Sequence, residues 1–165
     1  MAWTTPRTWV TNEDVTATLM NTHVRDNFKA IGDAWTSYTP TWAGVTTNPT
    51  IGNGTNVGRY IQAGKLVSFY VTITMGSTTA YGSGAWSVTL PVAPVASRGW
   101  TFQGQANDAS AGLFDLCGIV QSGSVVDLRC DPTTAGNQLR VVNSASPFTW
   151  TTSDLMYIGG TYEAA

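Results

Sequence analysis

Between Val67 and Met75, apolar and more polar residues alternate, and this run constrains the fold more than any other stretch of the sequence. Successive side chains of a β-strand point to opposite faces, so a period of two predicts a strand with one buried and one solvated face. The buried face would consist of Val67, Phe69, Val71, Ile73 and Met75. Such a strand needs neighbouring strands and a second apolar layer, which makes a sheet fold the first expectation.

Similar runs, separated by clusters of turn residues, occur along the chain after residue 36. They predict further strands at Ser37–Trp42, Val57–Ile61, Trp86–Leu90, Gly99–Ala106, Leu113–Val120, Val125–Cys130, Gln138–Val142 and Met156–Tyr162. Short strands at this spacing are typical of an antiparallel β-sandwich or jelly roll. We therefore predict an all-β fold of about eight strands.

The composition agrees with that fold and excludes two kinds of partner. Only 11% of the residues are charged, against about 25% in a typical soluble domain. Thr, Ser, Asn and Gly stand where Lys and Glu are usual, and β-branched Thr suits a pleated surface. The net charge of −2 and the scattered basic residues do not form the positive surface that a nucleic acid requires. No apolar run reaches the length of a membrane-spanning helix, so we expect neither a nucleic acid nor a membrane span.

Residues 1–35 differ from the rest, since they hold seven of the eighteen Lys, Arg, Asp and Glu residues. An apolar stripe with spacings of three to five predicts one amphipathic helix here. The stripe consists of Val15, Leu19, Val24, Phe28, Ile31 and Trp35. Thr11 or Asn12 would cap an early start of the helix, and Thr16 a later one. Gly32 is the expected end.

A helix of this length is marginal on its own, so its stripe must pack against something. The candidates are the chain's own β-domain, other copies of the chain or another protein. In the extended lead before the helix, Trp3 and Trp9 are expected either to be buried against a partner or to fold back onto the β-domain. We predict that these tryptophans and the stripe form an attachment surface, within an N-terminal arm and helix at residues 1–36. A β-sandwich domain would follow at residues 37–165.

The sequence contains no recognisable catalytic motif. The single histidine, His23, lacks a nucleophile or orienting acid in a local motif and is interpreted as a surface or interface residue. Asp115 and Asp127 fall in one predicted hairpin, where they would suit the two carboxylates of a glycosidase. Nearby arginines favour solvated cross-strand ion pairs instead. We therefore expect no enzyme activity, no metal site and no cofactor.

The two cysteines, Cys117 and Cys130, lie in the hairpin predicted between Leu113 and Cys130. A two-residue loop at Gly123-Ser124 would place them opposite each other, and one at Ser122-Gly123 would make them diagonal neighbours. Both registers put them on the apolar face. Buried free thiols are favoured there over a cross-strand disulfide, although the pairing stays open.

Exposed aromatic side chains among Asn, Asp and Thr would suit a sugar-binding surface on such a sandwich. Trp86 alternates with Val88 and Leu90, which favours a position in the core. Trp100 is also interpreted as a core residue. Tyr81 lies between glycine-rich turns. It is therefore the better candidate for an exposed ligand contact.

Several segments resemble virion proteins of tailed bacteriophages. They are Trp9–Ala17, Asn21–Asn27, Tyr38–Trp42, Asn48–Gly54, Gly58–Tyr60, Gly64-Lys65 and Gly159–Ala164. The resemblance covers most of the chain and includes no catalytic motif. It implies a structural virion protein, either a minor tail protein, a tail-fibre tip or a capsid decoration protein.

Proteins of this kind are commonly homotrimers attached through their N-terminal segments. The resemblance therefore implies a homotrimer that contacts other tail or capsid proteins and is localised in the virion after assembly in the host cytoplasm. The long repetitive shaft of a fibre is absent from the sequence, which favours a compact appendage. The alternative function is a host-receptor or carbohydrate-binding tip, whose partner would be a host-surface glycan.

Overall fold

The computed structural model describes residues 4–96, 99–131 and 138–165, within which ten antiparallel β-strands dominate. The strands are β1 (Thr36–Tyr38), β2 (Trp42–Gly44), β3 (Thr55–Ala63), β4 (Leu66–Thr74), β5 (Trp86–Thr89), β6 (Trp100–Asp108), β7 (Gly112–Val120), β8 (Val125–Cys130), β9 (Arg140–Val141) and β10 (Leu155–Glu163). They form one curled sheet in the order β1-β3-β4-β10-β6-β7-β8-β5-β2, with β9 paired to β8. The predicted all-β class is confirmed as a sandwich-like fold, whereas the jelly roll is not confirmed.

The sheet curls until its two edge strands meet. β1 and β2 lie at opposite ends of the strand order, yet only three residues, 39–41, join them. The Tyr38 hydroxyl donates a hydrogen bond to the Thr89 carbonyl oxygen at 3.4 Å, and the Thr41 N–H donates to Thr89 Oγ1 at 2.9 Å. Pro40 in this junction is buried and has no N–H for a ladder, so the single strand predicted at Ser37–Trp42 is two short strands.

The enclosed core follows the alternation of the sequence. The inward residues of β4 are all buried; they are Val67, Phe69, Val71 and Ile73. At one end of the core the ring centroids of Trp42 and Trp86 lie 4.8 Å apart, and those of Trp86 and Trp150 lie 5.3 Å apart. Aromatic pairs of this kind contribute about 0.5–1.5 kcal/mol beyond their buried area. The core position predicted for Trp86 is confirmed, since it is 1% exposed.

The N-terminal segment contains one continuous helical stretch, made of α1 (Ala17–Met20), a π-helical turn (Asn21–Arg25) and α2 (Asp26–Gly32). The Leu19 N–H donates to Thr16 Oγ1 at 3.3 Å, so the later predicted start and the end at Gly32 are confirmed. The π turn overlaps the one five-residue spacing of the stripe, Leu19 to Val24, and its i→i+5 hydrogen bonds fit a wider spacing than the α-helical one. No helix in the described part of the chain is long and apolar enough to cross a membrane.

The hairpin of β7 and β8 has a register that differs from both predicted ones. Leu116 lies opposite Cys130, and Cys117 lies opposite Arg129. A slip of one residue moves a side chain to the other face of a sheet. Cys130 is therefore buried in the core while Cys117 lies on the outer face, and both thiols are free. The prediction that the two cysteines share the apolar face is wrong.

Candidate functional site

The side chain of Asn27 holds the N-terminal arm on the helix. Its Oδ1 accepts a hydrogen bond from the Thr4 N–H at 2.9 Å, and its Nδ2 donates to the Thr4 carbonyl oxygen at 2.8 Å. Nδ2 also donates to the carbonyl oxygen of His23 at 3.2 Å. Asn27 is only 5% exposed, and these bonds satisfy a buried amide that would otherwise be costly. The sequence does not single out this residue, because no local pattern connects an Asn in an amphipathic helix to a distant backbone segment.

Glu13 organises the turn before the helix. Its carboxylate accepts a hydrogen bond from the Val10 N–H at 3.1 Å and forms an ion pair with Arg7. The Arg7 guanidinium in turn lies 5.1 Å from the centroid of the Trp9 ring. Trp9 is thus held at a defined position while 40% of it stays exposed. The predicted contact Trp3 lies outside the described residues.

The helix contacts the β-domain where α2 meets β3, and it leaves most of its large apolar side chains uncovered. Ala30 is buried and lies near Tyr60 of β3. Leu19 and Val24 are half-buried. The other residues of the stripe are exposed, at 56% for Val15, 73% for Phe28, 55% for Ile31 and 41% for Trp35. The sequence leaves open which of three partners covers the stripe. The chain's own β-domain is one of them, and it does not cover these side chains.

We refer to the exposed residues Trp9, Val15, Phe28, Ile31 and Trp35 as the N-terminal apolar set. Seven of the fourteen large exposed apolar side chains in the described chain lie between residues 4 and 35, which are about a fifth of it. Charged residues flank the set, and Arg25 pairs with Asp26 at 2.8 Å, which lowers the pKa of Asp26. Exposed apolar residues with a charged rim are typical of a protein interaction site.

Tyr81, the ligand contact predicted from the sequence, lies against the core. Its ring stacks on Trp86 with centroids 6.5 Å apart, and its carbonyl oxygen accepts a hydrogen bond from Trp86 Nε1 at 3.1 Å. Burial, and to a smaller extent the charge of Asp154, raise the pKa of Tyr81. Trp100 is likewise half-buried and packs edge-on against Tyr162. These two aromatic residues do not form a shared exposed patch.

A groove of about 610 Å³ crosses the outer face of β4, β10, β6 and β7. We refer to it as the outer groove; its side chains include Tyr70, Gln103, Gln105, Asp115, Cys117, Asp131 and Tyr157. Gly159 of β10 pairs with Tyr70 on one side and with Gln103 on the other. Because Gly159 has no side chain, the floor of the groove is low between its neighbours.

A row of hydrogen-bonded side chains crosses the outer groove. The Tyr157 hydroxyl donates to Gln105 Oε1, and Gln105 Nε2 donates to Asp115 Oδ1 at 3.4 Å. The three residues stand opposite one another on β10, β6 and β7, so the backbone ladder keeps them in line. Beside this row the Tyr70 ring lies 6.3 Å from the Tyr157 ring, and Tyr70 is 45% exposed.

Cys117 in this groove is a poor candidate for a reactive thiol. Burial raises its pKa, as do the neighbouring Asp131 and Cys130, while Arg129 partly opposes them. The thiolate is the nucleophilic form of cysteine, so a raised pKa keeps the thiol in its unreactive form at neutral pH.

The carboxylates of Asp115 and Asp127 do not form the pair that a glycosidase needs. Asp115 lies opposite Gln105, whereas Asp127 lies opposite Ile119. Ile119 is four positions further along β7 than Asp115, which corresponds to about 13 Å along the strand. Glycosidase pairs are about 5–10 Å apart. In the described ranges, no group of three His, Cys, Asp or Glu residues is placed to hold a metal ion.

Comparison with known proteins assigns the chain to no family. No family model, no curated protein and no solved structure matches it. The N-terminal apolar set and the outer groove are therefore the features from which a function is inferred.

Proposed function

We propose that this chain is a structural, non-enzymatic protein of a tailed-bacteriophage particle, attached through residues 1–36. The exposure of the N-terminal apolar set carries the proposal, above all Phe28 at 73% and Ile31 at 55%. Full burial of a large apolar side chain is worth roughly 1.5–3 kcal/mol relative to full exposure. A partner that covers several of these residues therefore gains a substantial part of its binding free energy from them.

The partner proposed for this surface is another virion protein of the tail or capsid. Hydrogen bonds to Asn27 hold the arm on the helix, and contacts between α2 and β3 hold the helix on the β-domain. A surface that is ordered before binding loses less conformational entropy on association. Trp9 and Trp35 belong to the residue type that most often dominates interface energetics. The flanking Arg25, Asp26 and Lys29 suit a partner whose rim carries both signs of charge.

The resemblance to tailed-phage virion proteins supplies the setting of the proposal, namely localisation in the virion and a homotrimeric state. A homotrimer of this 17.5 kDa chain would have a mass of about 52 kDa. Sedimentation equilibrium of the purified chain distinguishes that mass from a monomer. A capsid and a tail position are both compatible with the proposal.

Incorporation into particles tests the attachment. Phe28→Asp combined with Ile31→Asp places two charges in the apolar set. Val45→Asp combined with Leu113→Asp is the matched control, because these residues are 82% and 62% exposed in the β-domain. We expect both variants to fold, the first to be lost from purified particles and the second to be incorporated like the wild type. Incorporation of both variants at the wild-type level would refute the attachment surface.

A further inference from the structure

The outer groove lies on the β-domain, and attachment through the N-terminal segment assigns it no role. Its walls come from four neighbouring strands, and its volume of about 610 Å³ is within the range of small-molecule sites. The side chains that line it are mostly polar or aromatic. A function for this groove is independent of the proposed attachment to a particle.

We propose that the outer groove binds a neutral saccharide. The groove has an aromatic wall, in which Tyr70 is 45% exposed and its ring lies 6.3 Å from that of Tyr157 at an angle of 38°. The C–H face of a pyranose ring is apolar and packs against an aromatic face, while its hydroxyls need hydrogen-bond partners at the edge. A tyrosine supplies both an apolar ring and a polar tip.

Tyr157, Gln105 and Asp115 form a row of polar groups beside that wall. The row is already hydrogen-bonded in register across three strands. Amide and carboxylate groups together offer both donors and acceptors, which sugar hydroxyls need in pairs. Because the row is fixed before a ligand arrives, binding orders few side chains and the associated entropy loss is small.

The charge of the groove selects among saccharides. Asp115 and Asp131 line the groove, and no Lys or Arg is among the described lining residues. Arg129 lies one strand further out, opposite Cys117. The two carboxylates place negative charge at the groove, and like-charge contact with an acidic sugar at a binding site is unfavourable. The groove therefore favours a neutral sugar over a uronic or sialic acid.

Calorimetric titration of the full chain with neutral oligosaccharides tests the proposal, with gluco-, manno-, galacto- and N-acetylglucosamine oligomers as the probes. Galacto-oligosaccharides are neutral and galacturono-oligosaccharides are acidic, so this pair tests the effect of the sugar's charge. The test variants are Tyr70→Ala, which removes the ring, and Gln105→Leu, which breaks the polar row. Tyr70→Phe keeps the ring, and Leu113→Ala alters an exposed residue on the outer face of the same sheet. Thermal melting shows whether each variant is folded.

We expect at least one neutral oligomer to bind, and Tyr70→Ala and Gln105→Leu each to weaken its binding at least about tenfold. Tyr70→Phe and Leu113→Ala should stay within about threefold of the wild type, and an acidic counterpart should bind at least about tenfold more weakly. The proposal is overturned if no neutral oligomer binds at about 10 mM. It is also overturned if folded Tyr70→Ala and Gln105→Leu bind like the wild type, or if the acidic oligomer binds more tightly. None of these results depends on incorporation into particles.

Discussion

Asn27 and Thr4 are joined by two hydrogen bonds, at 2.9 and 2.8 Å, although 23 residues separate them in the sequence. The side-chain amide of Asn27 accepts from the Thr4 N–H and donates to the Thr4 carbonyl oxygen, much as the backbone of a neighbouring strand would. Because Asn27 is buried on the helix, the pair fixes the arm relative to the helix. The arm and helix are therefore held together as one unit.

Asn27→Ala should release the arm. Two hydrogen bonds contribute about 0.5–1.5 kcal/mol each, so the Thr4 amide should exchange with solvent roughly tenfold faster or more. Lys29→Ala, at an exposed position of the same helix, is the control and should leave that exchange rate unchanged. Hydrogen exchange followed by mass spectrometry of the N-terminal peptide measures both. An unchanged rate in Asn27→Ala would mean that the arm is held by other contacts.

Asp154→Ala should destabilise the β-domain strongly. Asp154 is fully buried, and its carboxylate accepts from the Ala109 N–H at 2.9 Å and from the Thr151 N–H at 2.6 Å. Removing the acceptor breaks two part-buried hydrogen bonds to a charged group, which contribute about 1.5–3 kcal/mol each, so the free energy of unfolding should fall by about 3 kcal/mol. Denaturant unfolding measures this, with Asp127→Ala on the outer face expected to change it by less than about 0.5 kcal/mol. If the free energy of unfolding fell as little in Asp154→Ala as in Asp127→Ala, the buried carboxylate would not be structural.

Gly58→Ala should disrupt the contact between β1 and β3. Gly58 pairs with Tyr38 across these strands, and a β-carbon at this position would overlap the Tyr38 ring. Overpacking of this kind costs about 1–3 kcal/mol, which thermal or chemical unfolding would detect. Gly32→Ala is the matched control, because a β-carbon there meets nothing within 4 Å. We expect the control to be neutral or slightly stabilising, since Ala favours the helix over Gly.

Stability should fall at alkaline pH because of buried tyrosines. Burial raises the pKa of Tyr162 to about 12, although the hydrogen bond that the Val92 N–H donates to its hydroxyl opposes part of the shift. Burial raises the pKa of Tyr38 as well. The folded pKa of Tyr162 lies above the unfolded value of about 10. Its contribution is therefore complete below pH 10 and is lost as the pH rises towards 12.

Denaturant unfolding at a series of pH values measures this loss. Tyr162→Phe cannot ionise at this position and should flatten the decline between about pH 10 and 12, even though it also loses the bonds to Val92. A decline as steep as in the wild type would assign the alkaline loss to other groups.

The sequence predicted what depends on local periodicity. The alternation in β4 predicts the buried residues from Val67 to Ile73, because side-chain direction along a strand follows from the backbone alone. The five-residue spacing from Leu19 to Val24 overlaps the π turn, although no π turn was predicted from it. Thr16 and Gly32 mark the observed helix ends through their capping and stopping chemistry.

Features that depend on register or on strand order were not predictable in this way. The turn between β7 and β8 admits loops that differ by one residue, and that difference decides whether Cys117 faces the core or the solvent. The residues of the outer groove are ordinary outward-facing positions of strands far apart in the sequence. Only the order β4-β10-β6-β7 brings Tyr70, Tyr157, Gln105 and Asp115 together.

The coverage of Phe28 in assembled particles tests the central claim most directly. In a Cys117→Ser background, which leaves only the buried Cys130, Phe28→Cys and Val45→Cys each introduce one accessible thiol. Maleimide labelling is then compared between the free chain and purified particles. We predict that both thiols are labelled rapidly in the free chain, and that in particles Phe28→Cys is labelled at least about tenfold more slowly while Val45→Cys is unchanged. Labelling of Phe28→Cys at the same rate in particles and in the free chain would contradict attachment through this surface.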